Sequence, residues 1–279
     1  MAITEVAPGI YSFDHDRAEG KNAIILSQRG AVAVDVGDSS AVGQGMADFI
    51  RSQGYSPDRV ILTHGHDDHV LGGAAFAGCE VYAHVNMPAV ARRDLRRVAE
   101  RRGILYDSLL QQVLWPTVMY KDELFLDLGD KHVHLFPTPG HSEDGISVYV
   151  EEDRLLVAGD SVVTGIIPAF GDGNSRVLMG TLRNLLTRNI EILIPGHGPV
   201  IHGTAQVQDM LRWALNYMSR VETAINKAIR EGLRDSEAIA ADIDYANYVG
   251  DHLPVDKHGM PKRHRNTVMK LIEEALGRT

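Results

Sequence analysis

The sequence contains one pattern twice: an apolar strand that ends in an aspartate, then a helix, then a second apolar strand that runs into a Gly–His pair. In the first half, residues 31–37 (AVAVDVG) lead to residues 60–66 (VILTHGH). In the second half, residues 155–161 (LLVAGDS) lead to residues 192–198 (ILIPGHG). Two similar β-α-β halves predict a layered α/β sandwich whose polar residues collect at one edge.

Periodicity predicts the elements around this repeat. Alternating or continuous apolar residues bounded by turn residues predict strands at 3–14, 22–28, 31–37, 59–63, 80–83, 123–127, 132–137, 146–150, 154–158 and 190–195. Helical spacing predicts helices at 41–53, 87–102, 106–115, 176–188 and from 204 to the end, with an interruption around 250–261.

The predicted elements indicate a catalytic core over residues 1–203 and a C-terminal helical segment over residues 204–279. Leu211, Leu215, Met218, Val221 and Ile225 recur at helical spacing within that segment, so one face of it is apolar. We expect these helices to pack on the core and cover one side of a pocket, or to form a homodimer face.

Composition narrows the class of protein. Of the 279 residues, 44% are hydrophobic and 23% are charged, as in an ordinary globular protein. No apolar run approaches the ~20 residues of a membrane helix, so no membrane partner is expected. The single cysteine, Cys79, excludes an internal disulfide, and the N-terminal residues lack a signal-peptide pattern, so a cytoplasmic location is predicted. A net charge of −9 argues against nucleic acid and in favour of a small-molecule substrate.

The segment 63–69 (THGHDDH) contains four candidate metal ligands directly after a predicted strand. His64 and His66 are two residues apart, so in extended backbone their side chains point the same way. Asp68 and His69 begin a tighter turn and can face a second point nearby. Imidazole and carboxylate together suit Zn²⁺, Fe or Mn²⁺ rather than Ca²⁺ or Mg²⁺. Four ligands would fill a single tetrahedral site and leave no room for water and substrate. We therefore expect the four residues to be divided between two metal sites.

Three further candidates, His141, Asp160 and His197, each follow an apolar strand in a loop marked by glycine or proline. A lone histidine after a strand is more often a hydrogen-bonded residue than a ligand. The joint pattern, HxHxDH, then TPGH, then GDS, then PGHG, is much more specific than any one of its parts. We therefore predict that the seven residues form one metal centre.

These motifs, spread over residues 10–200, resemble those of the metallo-β-lactamase superfamily, and the glyoxalase II-like and lactonase-like hydrolases more than the true lactamases. The resemblance implies a four-layer αββα sandwich with C-terminal helices. It also implies a role for each candidate. The first metal would be bound by His64, His66 and His141, and the second by Asp68, His69 and His197. Asp160 would be the carboxylate that bridges the two metals, and Asp35 would support the metal histidines. The two-zinc lactamases of the main subclass have a cysteine in place of Asp160, which argues against β-lactam hydrolysis.

Two bound cations, expected to be Zn²⁺ with Fe or Mn²⁺ as alternatives, would generate a metal-bridging hydroxide that attacks an ester, lactone, thioester or amide carbonyl. Asp68 is expected to be catalytic as well as a ligand, because it is placed to accept or pass a proton. Two alternatives stay open: an oxidoreductase resembling the mononuclear-iron persulfide dioxygenases, and a phosphodiesterase or nuclease. The second alternative usually carries an extra domain or a basic arm, and the sequence shows neither.

The remaining candidates have weaker support. The resemblance places six residues in pocket-lining segments, with ordinary core packing as the alternative: Tyr106, Trp115, Tyr120, Ile166, Ile167 and Phe170. The basic cluster at 92–102 is predicted to be a solvated helix face, whereas the cluster at 257–265 is predicted to hold an acidic substrate group or a partner subunit. Seven other histidines are predicted to be structural or solvated: His84, His132, His134, His202, His252, His258 and His264.

Overall fold

Two β-sheets stack face to face. The computed structural model of the protein describes residues 2–168, 170, 172–249, 253 and 259–278. Within these residues the first sheet has the spatial order β1-β2-β3-β4-β5-β6-β7, formed by Ile3–Ala7, Ile10–His15, Gly20–Ser27, Gly30–Val34, Arg59–Ile61, Glu80–His84 and Val118–Tyr120. The second has the order β13-β12-β11-β10-β9-β8, where β8 to β13 are Leu124–Asp127, His132–Pro137, Ile146–Val150, Leu155–Val157, Ile192–Ile194 and Ile201–His202.

Helices cover the outer faces of both sheets. In the described residues these are α1 to α9: Ser40–Ser52, Asp67–Val70, Met87–Arg102, Tyr106–Leu110, Ser175–Leu185, Thr204–Arg230, Ser236–Ala241, Tyr245–Val249 and Met260–Ala275. None of the described helices is both long enough and apolar enough to cross a bilayer.

Strand β4 shows how the sequence produces the layers. Its side chains alternate between faces, as in any strand. Val32 and Val34 point into the core between the sheets, where they join residues of β10 and β11. Ala31 and Ala33 point outward into a second core that includes Met46 of α1. A third core lies between the second sheet and helices α5, α6 and α9. This arrangement confirms the predicted αββα sandwich.

Parallel strand pairs bring the ends of several strands to one edge of the sandwich. Strands β4, β5 and β6 pair in parallel, as do β11 and β12, so their carboxyl ends lie together within each sheet. The two sheets meet at this edge: Ile146 N donates to Thr63 O at 2.9 Å, and Lys21 N donates to Gly196 O at 2.8 Å. The loops after these strands carry the predicted ligands.

The C-terminal helices pack on the outer face of the second sheet. Leu211, Met218 and Val221 of α6 share one apolar cluster with Leu178 and Leu182 of α5. Helix α9 packs in turn on α6 and α7. The described helices after residue 203 therefore pack on the second sheet and on each other, and the division of the chain at residue 203 stays a prediction.

Some element boundaries differ from the predictions for local reasons. The predicted strand at 3–14 is two antiparallel strands, because Gly9 turns the chain with a φ of 72°. The helix predicted at 106–115 ends at Leu110. Strand β7 follows Pro116 and was not predicted, because its three residues are partly exposed and give no alternating pattern. The long C-terminal helix stops at Arg230, where Gly232 adopts a φ of 96°.

Candidate metal centre

The seven predicted ligands converge at the edge where the strands of both sheets end. Their ligand atoms form three overlapping groups, each with all atoms within 4.8 Å of one another: His64, His66 and His141; His64, His69 and Asp160; Asp68, His69 and His197. The loop after β5 carries His64 and His66, and helix α2 carries Asp68 and His69. The loops after β9, β11 and β12 carry His141, Asp160 and His197. The structure therefore brings together every residue of the predicted set.

The first group consists of three imidazoles. His66 Nδ1 lies 3.1 Å from His64 Nε2 and 2.9 Å from His141 Nε2. The opposite nitrogen of His66, Nε2, lies 3.8 Å from the carboxylate of Asp172. Three ring nitrogens at such short separations make a compact donor set of the kind that divalent transition metals bind.

Asp68, His69 and His197, the last of the three sets and called the second group from here on, combine imidazole and carboxylate. Asp68 Oδ2 lies 3.5 Å from His197 Nε2, and Asp68 Oδ1 lies 3.9 Å from His69 Nε2. His69 is fully buried, whereas a small part of Asp68 reaches the solvent. This group therefore opens towards the space that a substrate would enter.

Asp160 lies between the two groups. Its Oδ1 is 3.3 Å from His69 Nε2, and its Oδ2 is 3.4 Å from both His141 Nε2 and His197 Nε2. One carboxylate thus contacts a histidine of the first group and two of the second. This is the position that a bridging ligand requires.

A hydrogen-bond chain from Asp35 fixes the protonation of two histidines. The Asp35 carboxylate accepts from Thr63 Oγ1 at 2.7 Å and from His69 Nδ1 at 2.8 Å. Because the Thr63 hydroxyl proton is donated to Asp35, Thr63 Oγ1 accepts at 3.1 Å from His64 Nδ1. With Nδ1 of each ring engaged in this chain, Nε2 is the atom that each ring presents to the cluster.

His197 is oriented in the same way by a backbone carbonyl, since its Nδ1 donates to Ala18 O at 3.2 Å. Asp35 itself has a φ of 60°, an uncommon conformation outside glycine that is often found at functional sites. Of the two interpretations open for Asp35, support of a metal histidine or a simple turn residue, its contacts favour the first.

Charge interactions keep the carboxylates of the centre ionised. Burial alone would raise the pKa of Asp160, but His197, His141 and His69 outweigh it and hold that pKa well below the ordinary value. Burial likewise raises the pKa of Asp68, and His69, His197 and Arg17 reverse the effect. Burial lowers the pKa of His64, and the neighbouring His69 lowers it further, so His64 stays neutral.

The donor set fits a divalent transition metal. Among the described residues, His69 Nε2 and Asp160 Oδ1 are buried atoms without a hydrogen-bond partner. These two atoms lie 3.3 Å apart without a hydrogen bond between them. Buried polar atoms are almost always satisfied, so this pair indicates that a metal ion belongs beside it. Five imidazoles and two carboxylates suit Zn²⁺, Fe or Mn²⁺, as the sequence predicted.

A cavity of about 320 Å³ opens above the ligands. Four more charged residues line it: Arg17, Asp94, Arg101 and Arg263. No role was predicted for Arg17 or Asp94. Arg101 belongs to the cluster predicted to be a solvated helix face, and Arg263 belongs to the cluster predicted to hold an acidic substrate group or a partner subunit. The four residues come from separate segments, and no spacing in the sequence links them to the histidine motif. Arg17 also forms a two-pronged pair with Asp67, at 2.6 and 2.9 Å.

Few of the residues predicted to line a pocket reach the metal cavity. Of the six residues proposed from the resemblance, Ile166 lines the metal cavity, together with Val163. Ile167 and Phe170 are buried in the core behind it. The other three lie elsewhere: Tyr106 and Trp115 pack beside the outer core of the first sheet, and Tyr120 packs beside the core between the sheets.

The basic cluster at 92–102 is not merely a solvated helix face. The Arg92 guanidinium stacks over Trp115, 4.6 Å from the ring centroid. Arg93 and Arg97 pair with the buried carboxylate of Asp172, and Arg102 pairs with Asp67 at 2.8 Å. The arginines of α3 therefore form ion pairs with residues close to the metal centre.

The histidines predicted to be structural lie outside the three ligand groups wherever the structure describes them. His132 pairs with Glu152 and His134 with Glu123, while His264 is buried and hydrogen-bonded. His252 and His258 lie outside the described residues, as does Lys257. Sequence reasoning overlooked His15, which is buried beside the centre. Burial and the nearby His69 lower its pKa to about 4.

Comparison with known proteins agrees with this fold. A sequence profile described as the metallo-beta-lactamase superfamily matches residues 17–197. A probable metallo-hydrolase of Bacillus subtilis, YqgX, is 29% identical over 181 residues, which cover 62% of this chain and 81% of that protein. The acyl-coenzyme A thioesterase MBLAC2 of Bos taurus is 26% identical over 229 residues, covering 72% and 80%. The crystal structure of the metallo-beta-lactamase family protein TTHA1429 from Thermus thermophilus superposes with a TM-score of 0.72 at 18% identity, covering 98% and 94%.

Proposed function

Because the chain belongs to the metallo-β-lactamase superfamily and its histidine and aspartate side chains form groups that could hold metal ions, we propose that it is a binuclear zinc hydrolase. Its substrate would be a small molecule with an ester, lactone, thioester or amide bond. The observation that carries the binuclear proposal is the placement of Asp160 within 3.4 Å of histidines from both ligand groups.

The residues divide the work as follows. His64, His66 and His141 would hold one cation, Asp68, His69 and His197 the other, and Asp160 both. Bound there, two divalent cations polarise a carbonyl oxygen and lower the pKa of a water molecule towards neutrality.

Asp68 is the catalytic residue that we propose in addition to the ligands. Its carboxylate lines the cavity, and its pKa is held low by His69, His197 and Arg17 against the opposing effect of burial. An ionised Asp68 can accept a proton at a carboxylate oxygen and, being a weak base, pass it on to the leaving group.

Two features support carbonyl chemistry on a small molecule. The cavity of about 320 Å³ is of the size that small ligands fill. One relative carries the name of an acyl-coenzyme A thioesterase and another that of a metallo-hydrolase. The acidic chain, with a net charge of −9, supports a proposal without nucleic acid as substrate.

The test is metal analysis of the purified protein together with a substrate panel of lactones, carboxylic esters, thioesters, amides and phosphodiesters. We expect close to two zinc ions per chain and turnover of at least one carbonyl class that is lost on chelation and restored by zinc. The chelated, zinc-reloaded protein is the matched control. A single iron with oxygen uptake, or a phosphodiester turned over much faster than every carbonyl substrate, would show that the proposal is wrong.

A further inference from the structure

Three arginines from distant parts of the chain line the metal cavity. Arg17 precedes β3, Arg101 lies in the last turn of α3, and Arg263 lies in the first turn of α9. Arginine binds carboxylate and phosphate oxygens through two parallel hydrogen bonds, so its place beside a reaction centre bears on substrate choice.

The three arginines differ in their partners. The Arg17 guanidinium is already paired with carboxylates of the protein, since it binds Asp67 and lies 3.7 Å from Asp68. Arg101 and Arg263, in contrast, make no ion pair with any residue that the structure describes. Arg263 is only partly exposed, and a half-buried guanidinium without a counter-charge is unfavourable unless a ligand supplies one.

Helix α9 holds Arg263 on a rigid support. The next residue, His264, is buried between Tyr217 Oη, 2.8 Å from its Nδ1, and Ile243 O, 2.8 Å from its Nε2. One turn further on, Thr267 Oγ1 donates to Pro168 O at 3.0 Å, in the loop that follows Asp160. The backbone of Arg263 is therefore fixed relative to the metal centre.

With two metal ions bound, the net charge of the cavity favours binding of an anionic ligand. Four carboxylates and three guanidiniums line it: Asp67, Asp68, Asp94, Asp160, Arg17, Arg101 and Arg263. Two divalent cations would leave this lining with three net positive charges. A cleft of one sign raises the local concentration of ligands of the opposite sign.

We propose that Arg263, assisted by Arg101, binds an anionic group of the substrate, a carboxylate or a phosphate-type oxyanion, at the end remote from the scissile carbonyl. This inference rests on the proposed function and narrows it to acyl compounds that carry a negative charge. It also places Arg263, one residue of the predicted 257–265 cluster, at the substrate.

The test compares three probes by titration calorimetry on the zinc-loaded protein: butyrate, glutarate and 4-phosphonobutyrate. Each has a carboxylate for the metal end, and the last two add a second anionic group. We expect at least one of the two to bind about tenfold more tightly than butyrate, the effect of one charge-assisted hydrogen-bonded pair. The tighter of the two identifies the group, carboxylate or phosphate, that Arg263 prefers.

Variants assign the effect to Arg263. Arg263→Gln should abolish the preference for the second anionic group, and Arg263→Lys should keep part of it, because the charge remains but the fork is lost. The matched control is Arg265→Gln, an exposed residue of the same helix that pairs with Glu237. It should bind the probes as the wild type does.

The probes bind without being hydrolysed, so this outcome is independent of whether the substrate panel identifies a hydrolase. Equal affinity for butyrate and both dianions in the wild type, absence of dianion binding, or a preference that survives in a folded Arg263→Gln protein would each overturn the inference. Melting curves of the three variants establish that they are folded.

Discussion

Replacement of Asp160 by alanine tests the binuclear centre most directly. The side chain is the one contact shared by both ligand groups, at 3.3 to 3.4 Å from His69, His141 and His197. Without it, His64, His66 and His141 still form a complete triad for the first ion. We expect the second ion to be lost first, so that metal content falls from about two per chain towards one.

Turnover should fall by about a hundredfold or more in Asp160→Ala, which corresponds to about 2.7 kcal/mol of transition-state stabilisation. The fold should survive, because Asp160 lies in the short turn after β11 and not in an apolar core. The assay measures metal stoichiometry, melting temperature and rate on the same preparation.

The matched control is Asp94→Ala, a carboxylate of the same cavity that belongs to none of the three ligand groups. It should retain both ions. If Asp160 merely caps its loop, the variant would melt at a lower temperature with metal content and turnover per folded molecule nearly unchanged. Two retained ions with near-wild-type turnover would refute the bridging role.

Three further expectations concern the surroundings of the centre. Asp35→Asn should weaken zinc binding about 10- to 100-fold in a chelator competition, because His69 loses its carboxylate acceptor; unchanged affinity would contradict this. Gly196→Ala should lower both melting temperature and zinc content, since a Cβ there would collide with Asp160 Oδ1, whereas Gly180→Ala, with open space around it, should stabilise its helix by about 1 kcal/mol. A chain ending at residue 203 should be insoluble or inactive, because it exposes the apolar face under α6 and α9; full activity of that fragment would make residues 1–203 an independent unit.

The sequence was sufficient to predict the sandwich and the convergence of the ligands, because both depend on local patterns. Alternation in β4 and the strand–turn–histidine segments encode which face is buried and where polar side chains collect. Boundaries that depend on tertiary contacts were harder to predict. The half-exposed strand β7 has only three residues, too few to show an alternating pattern, and its pairing with β6 defines it.

The sequence did not show which charged residues line the cavity, although the cluster at 257–265 was predicted to hold an acidic substrate group or a partner subunit. Arg17 and Asp67 are 50 residues apart, and Arg263 reaches the cavity only because α9 docks beside Pro168. Nothing in the spacing of these residues distinguishes them from ordinary surface charges. The same holds for Ile167 and Phe170, which follow the motif closely but turn into the core.

The joining of both sheets at the centre has a consequence for how the molecule assembles. His66 and His141 are 75 residues apart, and a covalent cross-link closing a loop of that length would stabilise a fold by about 4 kcal/mol. Metal ions bound by residues of both sheets would act as a cross-link of this kind. Four donors lie in one short segment, but the others come into place only after the second sheet has formed and docked. We therefore expect metal binding to be completed late in folding, and removal of the ions to weaken the connection between two sheets that stay joined by their shared core.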